Sequence, residues 1–193
     1  PTITPDEITE EMLSKYQCIY IEGYLLVNEP LVRSTMEKAK KLGLKVALDL
    51  SNFNIVNAFK GMLEDIIPKY VDILFSNESE AESFTGQKAA EAVHTLSELV
   101  EVSLVTLGKE GALIGSHGQF YSVPAEGGKP VDTTGAGDNF AAGFLYGQSI
   151  GASLVQSARI GSMLAGYVID VVGPEIPYDK WEQIKLKVKG ILA

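Results

Sequence analysis

Short apolar runs alternate with amphipathic stretches along the chain, and their periods separate strands from helices. Cys18-Ile19-Tyr20-Ile21 reads as a strand, closed by Glu22-Gly23. From Pro30 to Leu42, Val32, Met36 and Ala39 recur at helical spacing with lysines opposite. Gly43 follows where a helix C-cap favours positive φ. Val46 to Leu50 is the next strand, with three consecutive apolar residues, as expected of a covered parallel sheet. The pattern then predicts a helix from Val56 to Ile67 ending near Pro68 and a strand at Val71–Phe75. Short helices at Glu78–Phe84 and Ala89–Val100 lead to a strand at Ser103–Thr106.

Beyond Thr106 the rhythm changes. Ala112-Leu113-Ile114 and Phe120-Tyr121-Ser122 flank Gly115-Ser116-His117-Gly118, which predicts a β-hairpin. Helices are expected at Phe140–Gly147, Leu154–Ile169 and Tyr178–Val188. The opening segment reads as a loop into a capped turn, with Thr4 or Asp6 as the cap. No repeat, low-complexity tract or linker interrupts residues 1–193, so one α/β domain with a mainly parallel sheet is expected. In such sheets ligands bind beyond the carboxyl ends of the strands. Five polar or glycine clusters fall there: Glu22-Gly23, Asp49, Asn77–Glu80, Thr106–Gly111 and Asp132–Asp138.

Composition narrows the functions. The chain has 193 residues, 46% of them hydrophobic and 21% charged, which excludes intrinsic disorder. Its formal net charge of −9 disfavours a nucleic-acid partner but not a small phosphorylated ligand held by backbone amides. Cys18 is the single cysteine and there are two histidines, so neither an internal disulfide nor a zinc site is expected. His94 falls in a helix and His117 in a turn, both expected in solvent. No apolar run approaches the roughly 20 residues of a membrane span, and no signal peptide opens the chain. A cytoplasmic protein without a membrane partner is the expectation.

The strongest chemical signal is Asp132-Thr133-Thr134-Gly135-Ala136-Gly137-Asp138, running into Asn139-Phe140-Ala141-Ala142-Gly143-Phe144. Glycines on either side of Ala136 permit a tight turn and close approach of a ligand. The following helix aims unpaired N–H groups at that turn. Gly135, Ala136 and Gly137 thus suit an anion such as a transferring phosphoryl group, and Asp138 suits a general base for a hydroxyl. For these four residues alone, an ordinary N-cap turn is the plainer reading. Gly-x-x-x-x-Gly-Lys-Ser/Thr and Gly-x-Ser-x-Gly are absent, and Phe140 stands where a dinucleotide fingerprint needs Gly or Ala.

The longer pattern resembles the C-terminal signature of the ribokinase-like (PfkB) family of carbohydrate and nucleoside kinases. Asn77-Glu78-Ser79-Glu80 resembles the family's Asn-x-x-Glu motif, in which the Glu acts, through water, on the Mg2+ bound to ATP phosphates. A helix N-terminus decorated with polar residues is the plainer reading of those four alone. Val105-Thr106-Leu107-Gly108-Lys109-Glu110-Gly111 resembles the loop that holds the nucleotide phosphates, which implies ATP contacts for Asn77, Thr106, Gly108, Lys109 and Gly111. Asp132, Thr134 and Gly173 occupy places comparable to a monovalent-cation site, so K+ joins ATP and Mg2+ as an implied cofactor. Asp132 equally suits a turn.

The resemblance runs over nearly the whole chain and implies a three-layer α/β/α ribokinase-like fold. Asp49–Asn54 and Phe144–Gly147 look closer to its adenosine-kinase-like branch. The family's N-terminal portion, with a diglycine signature, most acceptor contacts and a small β-sheet lid, has no counterpart here. The expectation is therefore the C-terminal ATP-binding and catalytic part of a larger kinase, inactive alone, partnered by its own N-terminal remainder. A homodimer is left open. The implied reaction is ATP-dependent phosphorylation of a sugar or nucleoside hydroxyl. The alternative is a non-catalytic nucleotide-binding or assembly module of the same fold.

Overall fold

The structure is a computed structural model in which residues 3–127 and 130–193 are described. After a one-turn helix α1 (Glu10–Leu13), strand β1 (Cys18–Glu22) leads to α2 (Glu29–Lys41). The Asn28 side chain caps α2 by accepting from Leu31 N–H, and Pro30 sits in the first turn, where a missing N–H costs nothing. Leu31, Val32, Met36 and Ala39 form its buried face. β2 (Lys45–Asp49) follows, with Val46, Ala47 and Leu48 fully buried.

The single helix expected at Val56–Ile67 is two helices, α3 (Phe53–Ala58) and α4 (Lys60–Tyr70). Phe59 leaves the helical region between them, at φ −116° and ψ 20°. Nor does Pro68 end the helix. It lies inside the last turn of α4, where burial of Ile66, Ile67 and Tyr70 outweighs the lost backbone hydrogen bond. Then come β3 (Ile73–Asn77), α5 (Glu78–Thr85), α6 (Ala89–Ser97) and β4 (Val102–Thr106). β5 (Ala112–Ser116) and β6 (Gln119–Val123) form the expected hairpin. Its turn is His117-Gly118, both at positive φ, the pairing that matches strand twist in a two-residue hairpin.

The six strands form one sheet in the order β1-β2-β3-β4-β5-β6. β1–β2 and β2–β3 are parallel, with Glu22 opposite Asp49 and Asp49 opposite Phe75. The carboxyl ends of the first three strands therefore carry Glu22, Asp49 and Asn77 side by side.

The chain divides into two compact units. The first comprises the residues up to Val105 together with Ile114–Phe120. The second comprises Thr106–Leu113 and the chain from Tyr121 onward. In it, α7 (Ala136–Ser149) and α8 (Leu154–Ile169) pack closely, with α9 (Trp181–Leu192) beyond a 3-10 turn. A Cβ on Gly143 would lie 2.7 Å from the Cα of Gly161, so small residues set the approach of α7 to α8. Ile160, Met163, Leu164 and Val168 of α8 share a core with Ile176, Ile184 and Ile191. Among the described residues no helix is long and apolar enough to cross a membrane.

Candidate active site

In the second unit, the loop before α7 is tied by Asp132. Its Oδ1 accepts from the Thr134 amide at 2.9 Å and the Thr134 hydroxyl at 2.7 Å, and its Oδ2 accepts from the Gly173 amide at 2.9 Å. These bonds, Gly173's above all, hold the Asp132 carboxyl below the usual carboxylate range. The structure thus brings Asp132, Thr134 and Gly173 together in the manner of a turn-forming aspartate.

The helix itself begins at Ala136 rather than near Phe140, because the glycine loop supplies the first turn. Gly135 precedes it at φ +77°, and a Cβ there would stand 2.9 Å from Cβ of Pro174. Asn139 donates from Nδ2 to the Gly135 carbonyl at 2.9 Å and fixes that turn from inside the helix. The Ala136 amide bonds the Thr133 carbonyl at 3.2 Å. Among the described residues, no acceptor meets the amides of Gly135, Gly137 or Asp138. A Cβ on Gly137 would meet nothing within 4 Å. Asp138, third in the helix, is exposed. Free amides, open space and an exposed carboxylate in one turn can receive an oxyanion beside a proton acceptor.

Thr106 to Gly111 forms the other expected loop. Gly111 turns back so that its carbonyl accepts from Leu107 N–H at 2.7 Å, and its φ of +102° is tolerated by glycine. A side chain there would strike the Val123 carbonyl oxygen at 1.9 Å. Gly108 and Lys109 are exposed.

In the first unit, Asn77 and Glu80 are joined in a capping box at the start of α5. The Glu80 carboxylate accepts from Asn77 N–H at 2.8 Å and Asn77 Nδ2 at 2.6 Å, while Asn77 Oδ1 accepts from Glu80 N–H. Glu80 is only 4% exposed, and burial pushes its carboxyl above the usual range despite those bonds. Asp49 is a site residue whose weight the sequence did not reveal. Burial raises its pKa to about 7, with the Glu80 and Glu22 charges adding to the effect and the Ser51 amide opposing it. Ser51 stands at φ +63°, where its hydroxyl accepts from Gly23 N–H at 2.7 Å and donates to Glu22 at 3.0 Å. The signal for this cluster lay in two strand ends carrying acids, Glu22 and Asp49, and a third leading into Glu80, but their convergence is a product of register.

Among the described residues no group of three or more acids, histidines or cysteines is arranged to hold a metal ion. The acids of the first unit nevertheless fit magnesium acting at a distance. A buried carboxylate with uncompensated acidic neighbours favours a cation, and magnesium keeps much of its water shell in phosphate sites.

Sheet order, strand-end acids and the glycine turn opening α7 together define an α/β protein of the ribokinase-like class. The pfkB family of carbohydrate kinases matches residues 2–181, and the chain belongs to that family. It is 31% identical over 194 residues to the adenosine kinase of Saccharomyces cerevisiae, covering 92% of this chain and 57% of that protein. The solved structure of a probable sugar kinase from Rhizobium etli superposes with a TM-score of 0.90 at 30% identity, over 98% of this chain and 58% of that one. The adenosine kinase of Sinorhizobium meliloti gives 0.89 at 28% identity, over 96% and 58%. The two adenosine kinases support the adenosine-kinase-like branch of the family. The chain spans a little under three fifths of the length of these relatives.

Proposed function

We propose that the protein transfers the γ-phosphoryl group of ATP to a hydroxyl group of a sugar or nucleoside. The observation that carries this reading is the turn before α7, where the Gly135, Gly137 and Asp138 amides meet no acceptor among the described residues and open space lies at Gly137 next to the exposed Asp138 carboxylate. Asp138 accepts the proton of the acceptor hydroxyl. That oxygen attacks the γ-phosphorus, the bond to the β-bridging oxygen breaks, and ADP leaves. The amides bond the equatorial oxygens as charge gathers there, each contributing about 3 kcal/mol, or roughly a hundredfold in rate.

Thr106, Gly108, Lys109 and Gly111 border the nucleotide phosphates in this reading. Asn77 orients Glu80, whose carboxylate would accept from water bound to magnesium. Bound magnesium would neutralise charge on the ATP oxygens. Asp132, Thr134 and Gly173 hold the loop, and their carbonyls are the groups that would meet a potassium ion. In the full-length protein, Asp138→Asn is expected to lower turnover by at least about a thousandfold while leaving ATP affinity nearly unchanged. Steady-state kinetics beside calorimetric ATP titration checks this, and near-normal turnover removes Asp138 from the role of base.

A further inference from the structure

Asn139 lies half-buried in the first turns of α7, behind the glycine turn. Asparagine is a poorer helix former than alanine, so its presence there costs helix stability unless the side chain acts elsewhere. Its Nδ2 group donates to two carbonyls, that of Gly135 at 2.9 Å and that of Pro174 at 3.4 Å. A carboxamide nitrogen carries two hydrogens, and these two acceptors occupy both. The backbone N–H of Asn139 meets the same Gly135 carbonyl at 2.9 Å.

The peptide unit joining Gly135 to Ala136 is the pivot between the Gly135 amide and the amides of Gly137 and Asp138. Asn139 holds its carbonyl, and the Thr133 carbonyl holds its N–H at 3.2 Å. Glycine passes between left- and right-handed backbone at little cost, so a turn with Gly135 at φ +77° keeps one arrangement only while its peptide units are held. The bond to Pro174 extends that hold to the loop after α8. Gly173 of the same loop donates to Asp132 at 2.9 Å, so the loop is tied to both ends of the turn. Amides directed at a developing oxyanion are most effective when they need no reorganisation. The geometry points to Asn139 as a positioning residue for phosphoryl transfer, one that fixes the arrangement of the Gly135, Gly137 and Asp138 amides through the Gly135 and Pro174 carbonyls. This inference rests on the reading of the turn as the receiver of the phosphoryl group. Asn139 acts through the backbone and makes no contact with the substrate.

The test is calorimetric titration of the full-length protein with ADP and Mg2+, alone and with aluminium fluoride, which stands in for the phosphoryl group in transfer. No acceptor has to be known. The parent protein is expected to bind ADP at least about tenfold more tightly with aluminium fluoride than without it. Asn139→Ala should erase most of that advantage while affinity for ADP alone stays within about threefold of the parent. Asn139→Asp, of the same size but with no hydrogen to donate, should do the same. Asn139→Ser should recover much of the advantage, because a helical serine hydroxyl can bond the carbonyl four residues earlier. The thermal midpoint of Asn139→Ala should stay within about 3 °C of the parent, since helix propensity offsets the lost bonds. Should that variant not fold, Asn139→Asp against Asn139→Ser gives the same comparison. An advantage that survives in both Asn139→Ala and Asn139→Asp overturns the proposal. So does an equal loss of affinity for ADP alone, which marks a role in folding only. Gly137→Ala distinguishes the two readings: if it abolishes the advantage and the Asn139 variants keep it, the turn receives the phosphoryl group and Asn139 does not position it. If aluminium fluoride adds nothing in the parent protein, the reading of the turn fails, and this proposal with it.

Discussion

At Gly135 an alanine would need a left-handed backbone and would drive its Cβ to within 2.9 Å of Pro174. At Gly137 the same substitution meets only open space on a regular helical turn. The two glycines therefore separate folding from function. Gly135→Ala should lower stability by about 1–3 kcal/mol. Gly137→Ala should leave the urea midpoint unchanged or raise stability by up to about 1 kcal/mol, through better helix propensity. It should nonetheless lower kcat at least tenfold, because the new methyl group occupies the space assigned to the phosphoryl group. Unaltered kcat in a stable Gly137→Ala protein would show that no ligand approaches that turn.

Asp49 gives a second residue-level prediction. Its pKa near 7 means that the folded protein holds this proton more tightly than the unfolded chain, whose aspartates titrate near 4. Stability from this group is therefore fully present below about pH 4 and is lost as pH rises through about 7. Raised Glu80 acts in the same direction, whereas lowered Asp132 contributes stability that is lost only as pH falls through its depressed pKa. Asp49→Asn should shrink the loss of stability between pH 4 and pH 8 by at most about 4 kcal/mol. Urea midpoints across that range check it, and an unchanged slope contradicts the assignment. The glycine turn was legible because it is contiguous in sequence. The charge of Glu80 acting on Asp49 and the lock of Ser51 on Gly23 were not, because the sheet brings together residues about thirty positions apart.

Among the elements, α7 carries the chemistry in the proposed reading, and α8 packs against it. A Cβ on Gly161 would lie 2.5 Å from the Phe140 carbonyl oxygen, within the first turns of α7. Gly161→Ala should therefore cost about 1–3 kcal/mol and lower kcat together with stability, which thermal melts beside kinetics would show. Loss of neither would mean that the two helices part freely. Strand and helix order was readable from periodicity, since Val46–Leu48 and the Val32-Met36-Ala39 stripe declare their partners. The break at Phe59 and the passage of α4 through Pro68 were not readable. There, packing of Ile66, Ile67 and Tyr70 overrides local preference.

For the whole molecule, the relatives are longer and β1 is the outer strand of the sheet. Among the described residues no strand pairs with its outer edge, and its side chains are mostly half-buried. An open parallel edge favours pairing with another chain. The 193-residue chain prepared alone is therefore expected to elute from size-exclusion chromatography as associated species, and a stable monomer would contradict this. Phosphoryl transfer itself is tested most directly on the full-length protein, with γ-labelled ATP, magnesium and a panel of sugars and nucleosides. The account predicts that label appears on the hydroxyl of at least one acceptor and that Asp138→Asn abolishes the transfer. ATP binding with no labelled acceptor across the panel, or transfer that persists in Asp138→Asn, would contradict it.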